Sequence, residues 1–204
     1  MKQARYWISL EGGTVQCVLC PRRCIIGDGR TGICGVRKNE CGTLCSLVWG
    51  KSVTASVDPI EKKPLFHLMP GSLSFSIATV GCNLRCSFCQ NSDISQYPVH
   101  TGGITGEDLL PEEVVEAAVA RGCGSVSYTY TEPTVFMEYM VDTARLAKQA
   151  GLLNVMVTNG YTAPEVIRDD LAGLIDGANI DLKSFSDDFY RRLCSARLAP
   201  VLDA

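Results

Sequence analysis

Val80-Gly-Cys-Asn-Leu-Arg-Cys-Ser-Phe-Cys-Gln-Asn91 sets Cys82, Cys86 and Cys89 in a C-x3-C-x2-C spacing on one short loop. Three thiolates this close can hold three irons of a [4Fe–4S] cube, whose usual complement is four cysteines. The fourth iron then lacks a protein ligand and is open to a small molecule. The competing reading of the same cysteines is a zinc site completed by His100, since three cysteines and a histidine form a known zinc set.

Bulk properties narrow the setting. A chain of 204 residues can bury a substantial core as one domain plus a small appendage. Its formal charge is −3 and its Lys and Arg residues are scattered, so no electrostatic footprint for nucleic acid is expected. The start, Met1-Lys-Gln-Ala-Arg-Tyr-Trp-Ile-Ser-Leu10, lacks the continuous apolar stretch of a signal peptide. No apolar run is long enough for a membrane span. Eleven cysteines without an export signal point to metal or redox work rather than a disulfide framework. The expectation is a cytoplasmic metalloprotein.

Two textures divide the chain at about residue 71. Residues 1–71 are rich in Cys and Gly, with β-like runs at Leu44–Trp49 and Ser52–Val57. Residues 72–204 alternate strand and helix. Strands are expected at 73–80, 125–130, 152–157 and 178–182. Helices are expected at 111–121, with Val115, Ala118 and Val119 on one face, at 134–150, from Pro164 onward, and after a Ser186 cap. Repeated strand–helix units predict a parallel sheet whose reactive loops follow the carboxyl ends of its strands. Each candidate motif falls there. The cysteine loop follows the first strand, Tyr130-Thr-Glu-Pro133 the second and Thr158-Asn-Gly160 the third, while Asp181-Leu-Lys183 closes the fourth.

These motifs resemble those of a known family. Residues 72–204 resemble a radical S-adenosylmethionine (SAM) domain of the kind found in pyruvate formate-lyase activating enzymes. Cys17-Val-Leu-Cys-Pro-Arg-Arg-Cys24, Gly32-Ile-Cys-Gly-Val-Arg-Lys-Asn39, Asp58-Pro-Ile-Glu-Lys-Lys-Pro64, Ala78-Thr-Val-Gly-Cys-Asn83, Cys89-Gln-Asn91 and Tyr128-Thr-Tyr-Thr-Glu-Pro133 are similar to those of AmmeMemoRadiSam-system radical SAM enzymes. The resemblance implies an α/β chain: an incomplete parallel (β/α) radical SAM barrel of about four βα units, behind a small Cys-rich N-terminal β/loop region. It implies a [4Fe–4S] cluster on Cys82, Cys86 and Cys89 that reductively cleaves SAM to a 5′-deoxyadenosyl radical. A protein substrate or partner and an electron donor such as flavodoxin or ferredoxin are implied with it. Glu132 would accept from the SAM ammonium and Lys183 would pair with its carboxylate, with Asn159 and Asp181 for ribose hydroxyls or for orienting their neighbours. Tyr130 and Phe88 would shield the cluster or the adenine. Radical SAM domains carry more strand–helix units than the four visible before Ala204, so the chain reads as truncated at its C-terminus or completed by another polypeptide. The alternative function is a non-catalytic iron–sulfur or zinc module that organises a complex.

Cys17, Cys20, Cys24 and Cys34 form a separate C-x2-C-x3-C-x9-C group. Four thiolates suit a tetrahedral zinc or a complete Fe–S cluster, and buried free thiols are the plain alternative. Cys41, Cys45, Cys123 and Cys194 read as non-ligands, and His67 as a packed structural histidine.

Overall fold

The computed structural model describes all 204 residues. At its centre is a five-stranded sheet built from β1 (Thr54–Pro59), β2 (Leu73–Ala78), β3 (Ser125–Tyr128), β4 (Leu153–Thr158) and β5 (Gly177–Ile180), in the order β5-β4-β3-β2-β1. Strands β2 to β5 are parallel, with Ser125 level with Ser74 and Leu153, and Val155 level with Gly177. The expected parallel α/β arrangement of about four units is therefore present, as an open sheet rather than a closed barrel. Strand β1, within the expected N-terminal region, pairs antiparallel with β2 from Thr54–Ala78 to Pro59–Leu73. Residues 2–46 add two small antiparallel sheets of three strands each.

Helices α1 (Pro111–Ala120) and α2 (Met137–Gln149) carry the crossovers into β3 and β4. Pro111 supplies the preset first-turn φ of α1, and the Glu113 carboxylate accepts from Leu110 N at 2.6 Å. Its buried face is Pro111, Val114, Val115 and Ala118, while Val119 is 54% exposed. Val115 and Ala118 of the expected face are thus buried and Val119 is not, with Pro111 and Val114 completing the buried face. Helix α2 follows a 3-10 turn at Pro133–Phe136, and Phe136 of the turn and Met140, Thr143 and Ala147 of the helix are buried. The segment after Pro164 departs from expectation, forming one α turn (Pro164–Val166) and then a π turn (Ile167–Leu171). Asp170 in that turn is held by the Arg5 guanidinium at 2.7 Å and by the Tyr6 hydroxyl, contacts that override helical propensity. Helix α3 (Asp187–Leu193) is capped by Ser186 Oγ, which accepts from Phe189 N at 3.3 Å.

One hydrophobic core of 31 buried residues runs from Val15, Ile26, Val36 and Leu44 through Phe75, Ile77 and Val126 to Phe136 and Met140. Within it, Arg37 meets Glu138 of α2 in a forked pair, Nη1 to Oε2 at 3.0 Å and Nη2 to Oε1 at 2.7 Å, with both side chains almost fully buried. The cysteine-rich region and the sheet are therefore packed and charge-paired to each other. Strand β5 is a sheet edge, and Ile180, Leu182 and Phe185 beside it are exposed. No helix is long and apolar enough to cross a membrane.

Candidate functional site

The carboxyl ends of β2 to β5 open into one cavity of about 490 Å³. Cys82, Cys86, Cys89, Phe88, Tyr130, Glu132, Asn159, Asp181 and Lys183 all line it, so every residue singled out at a strand end is brought together here. His100 is exposed and does not reach the lining, which removes the fourth donor of the zinc reading. His67 is exposed rather than packed, because the chain over Pro64–Met69 runs along the surface.

The cysteine loop is fixed by backbone bonds on both sides. Gly81 N donates to Ile94 O at 3.1 Å, while Arg85 N and Ser87 N donate to Cys194 O and Leu193 O at the end of α3. Gly81 adopts φ +101°, and a Cβ there would lie 2.6 Å from Val36 Cγ1 and 3.0 Å from Cys34 O. Only glycine lets the loop settle so closely on the N-terminal region. Burial pushes the Cys82 thiol well up, with the Glu132 carboxylate adding to it, and burial followed by the neighbouring Cys194 pushes Cys86 up to about 12. Thiols held protonated in this way give up the proton to a metal that binds their sulfur.

Glu132 ties the ends of β3 and β4. Its Oε1 accepts from Thr134 N (3.0 Å), Thr134 Oγ1 (2.7 Å) and Thr158 Oγ1 (2.8 Å), and its Oε2 accepts from Asn159 N (2.8 Å). Burial raises its pKa and the hydrogen bonds oppose that rise. Acceptor capacity remains on Oε2. Lys183 Nζ pairs with Asp181 Oδ2 at 2.7 Å, and Asn179 Nδ2 donates to Asp181 Oδ1 at 2.8 Å. Burial would lower the Lys183 pKa, but the Asp181 carboxylate outweighs it and the pKa is raised. Phe88 is 47% exposed and tilts against Phe189, ring centroids 5.7 Å apart.

Asp58 and Asn83 stand in motifs quoted above, and the structure gives each a place at the site that the sequence did not assign. Asp58, at the end of β1, accepts from Tyr130 OH (2.6 Å), Lys63 Nζ (2.8 Å), Ser76 Oγ (2.7 Å) and Lys62 Nζ (2.7 Å). Burial alone would raise the Asp58 pKa, but these donors hold it far below the usual carboxylate range. With Asn91 Nδ2 on Tyr130 O at 2.9 Å, they hold Tyr130 at φ +63°, a backbone conformation costly for a non-glycine residue. Asn83, on the loop itself, accepts from Asn159 Nδ2 at 2.9 Å.

Three thiols of one loop face the cavity with no histidine in its lining, and Cys194, which is hydrogen-bonded to Cys86, lies outside that lining; the set fits a cube anchored at three corners. Comparison with known proteins agrees with this class. The chain belongs to the Radical SAM superfamily, whose family model matches residues 76–204. It is 45% identical over 203 residues to an uncharacterized protein of Methanocaldococcus jannaschii, covering all of this chain and 59% of that one. It is 34% identical over 124 residues to GTP 3′,8-cyclase of Geobacter sulfurreducens (60% of this chain, 37% of that one). It is 29% identical over 114 residues to the pyruvate formate-lyase-activating enzyme of Clostridium pasteurianum (54% and 46%). The chain thus spans between about a third and three fifths of these relatives.

Proposed function

We propose that this chain is the cluster- and SAM-binding part of a radical SAM enzyme, with Cys82, Cys86 and Cys89 holding three irons of a [4Fe–4S] cluster. The observation that carries this is the meeting of three loop thiols with Glu132, Asn159, Asp181 and Lys183 at the ends of parallel strands. When bound, the reduced cluster and SAM supply one-electron cleavage of the sulfur–C5′ bond, leaving methionine and a 5′-deoxyadenosyl radical.

The chain's own residues bind and orient. Lys183 uses one of its three donors on Asp181 and keeps two for a carboxylate. Glu132 Oε2 keeps capacity for an ammonium, and the four donors on its carboxylate fix where that oxygen points. The two groups stand on β3 and β5 ends and read the opposite charges of an amino-acid head group. Asn159 and Asp181 serve ribose hydroxyls, and Phe88 and Tyr130 keep water from the reacting bond.

The finer identity is an AmmeMemoRadiSam-type enzyme, supported by the motifs at Cys17–Cys24 and Asp58–Pro64 as well as the cysteine loop. Residues 1–71 form its Cys-rich N-terminal unit, which lends β1 to the central sheet, and residues 72–204 the N-terminal portion of the barrel. The exposed apolar residues Ile180, Leu182 and Phe185 beside edge strand β5 are where further strands would pack. Similarity to a pyruvate formate-lyase-activating enzyme supports a protein substrate. A flavodoxin- or ferredoxin-class donor in the cytoplasm would supply the electron that reduces the cluster. The test is anaerobic reconstitution with iron and sulfide, then dithionite and SAM, and an assay for 5′-deoxyadenosine. Its formation, abolished in Cys86→Ala, is the expected result. A loaded protein that binds SAM and forms none supports the non-catalytic module instead.

A further inference from the structure

Cys17, Cys20, Cys24 and Cys34 come from three separate stretches of the N-terminal region. Cys17 ends the strand Val15–Cys17, Cys20 and Cys24 lie on the loop after it, and Cys34 precedes the strand Arg37–Glu40. All four are free thiols, and all four line one small cavity of about 20 Å³ whose other walls include Leu19, Ile26 and Val135. Gly35, at φ +75°, turns the chain just after Cys34 where a Cβ would meet Pro98 Cβ at 2.6 Å.

Two guanidinium groups line the same cavity and each leaves a buried donor unpaired. Arg37 is buried, and its Nη1 and Nη2 are taken by Glu138, Val135 O and Arg5 O, leaving Nε without a partner. Arg22 Nε donates to Asn83 O at 2.8 Å and its buried Nη2 has no partner. Buried charged donors seldom go unmatched, and such an orphan asks for an acceptor at the site. Four apolar-walled thiols offer that acceptor once they are thiolates around a metal centre, because the sulfurs then carry negative charge.

The size of the cavity chooses between the two metal centres that four cysteines can hold. Around a single zinc the sulfurs stand ~2.3 Å from the ion and leave no space for a water-sized sphere between them. Here the four cysteines line a cavity with room for such a sphere, wider than the shell of one ion. That spacing suits the wider shell of a cube. We infer that Cys17, Cys20, Cys24 and Cys34 ligate a second, complete [4Fe–4S] cluster, with Arg22 Nη2 and Arg37 Nε donating to its sulfurs. Hydrogen bonds of this kind are one of the levers on a cluster's reduction potential. The site lies against the back of the cysteine loop, through Arg22 on Asn83 and Gly81 on Cys34.

The experiment uses the full chain carrying Cys82→Ala, Cys86→Ala and Cys89→Ala, reconstituted anaerobically, with circular dichroism to check its fold. About four irons and four sulfides per chain, with an electron paramagnetic resonance (EPR) signal indifferent to SAM, is the expected result. One zinc and no sulfide, or no metal in a folded variant, overturns the inference. If the triple variant does not fold, Mössbauer quantitation of the wild-type chain decides. About eight irons, half of them unperturbed by SAM, supports the second cluster, and about four irons overturns it. Because the triple variant lacks the loop cysteines, its outcome is separate from that of the SAM-binding proposal.

Discussion

Asn159 Nδ2 donates to Asn83 Oδ1 at 2.9 Å and stands 3.7 Å from Cys82 Sγ, so the end of β4 grips the cysteine loop beside its first thiol. Asn83 Nδ2 in turn donates to Tyr161 O at 2.7 Å, and Asn159 Oδ1 accepts from Tyr161 N at 2.8 Å. Asn159→Ala leaves the buried Asn83 oxygen without that donor. The cost is expected to be about 1–3 kcal/mol in urea unfolding, together with faster loss of iron to a chelator. Unchanged iron release would mean that this bond does not hold the loop.

Arg37 and Glu138 couple the cysteine-rich region to α2. Glu138→Gln removes the charge that compensates a buried guanidinium and is expected to destabilise the chain by about 3–5 kcal/mol. The double variant Arg37→Met, Glu138→Leu should recover much of that loss, because no buried charge is left unpaired. Chemical denaturation of the three proteins checks both statements.

Asp58 sets an acid limit. Its folded pKa lies far below the ordinary 3.8, so near and below that pH the unfolded chain binds a proton that the folded chain does not. The stabilisation is therefore fully present above the unfolded pKa and is lost as pH falls toward the folded one. Thermal melts at pH 7 and pH ~3 are expected to show a smaller acid-induced fall for Asp58→Asn than for wild type, although the variant starts from a lower midpoint. Equal falls would assign the acid sensitivity elsewhere.

Lys183 is the cation that the proposal gives to the SAM carboxylate. Losing a charge-assisted hydrogen bond of about 1.5–3 kcal/mol should weaken SAM binding by Lys183→Met about 10- to 100-fold in calorimetry on cluster-loaded protein. An unchanged affinity would move the carboxylate elsewhere in the cavity.

The sequence carried the frame of this site because its signals are local. Cysteine spacing, β-rich runs and helix punctuation located four strand ends, and the loops after those ends do share one cavity. What it could not carry are pairs of residues distant in the chain. Asp58 with Tyr130, Asn83 with Asn159 and Arg37 with Glu138 have no periodic signature, and each partner alone looks like an ordinary polar residue. The π turn at Ile167–Leu171 was hidden for the same reason, since its Asp170 answers to Arg5 and Tyr6 far upstream. Val119 lies outside the buried face of α1 because apolar residues cover more of this helix than α2 and the sheet together bury.

The central claim is that the loop thiols hold a cluster with one iron open to SAM. Its most direct measurement is the EPR spectrum of the reduced, reconstituted chain with SAM labelled at its carboxylate (17O) and amino group (15N). Hyperfine couplings from both labels, absent in Cys86→Ala, are the expected result. A fully loaded loop cluster whose spectrum ignores SAM and shows neither coupling would contradict it.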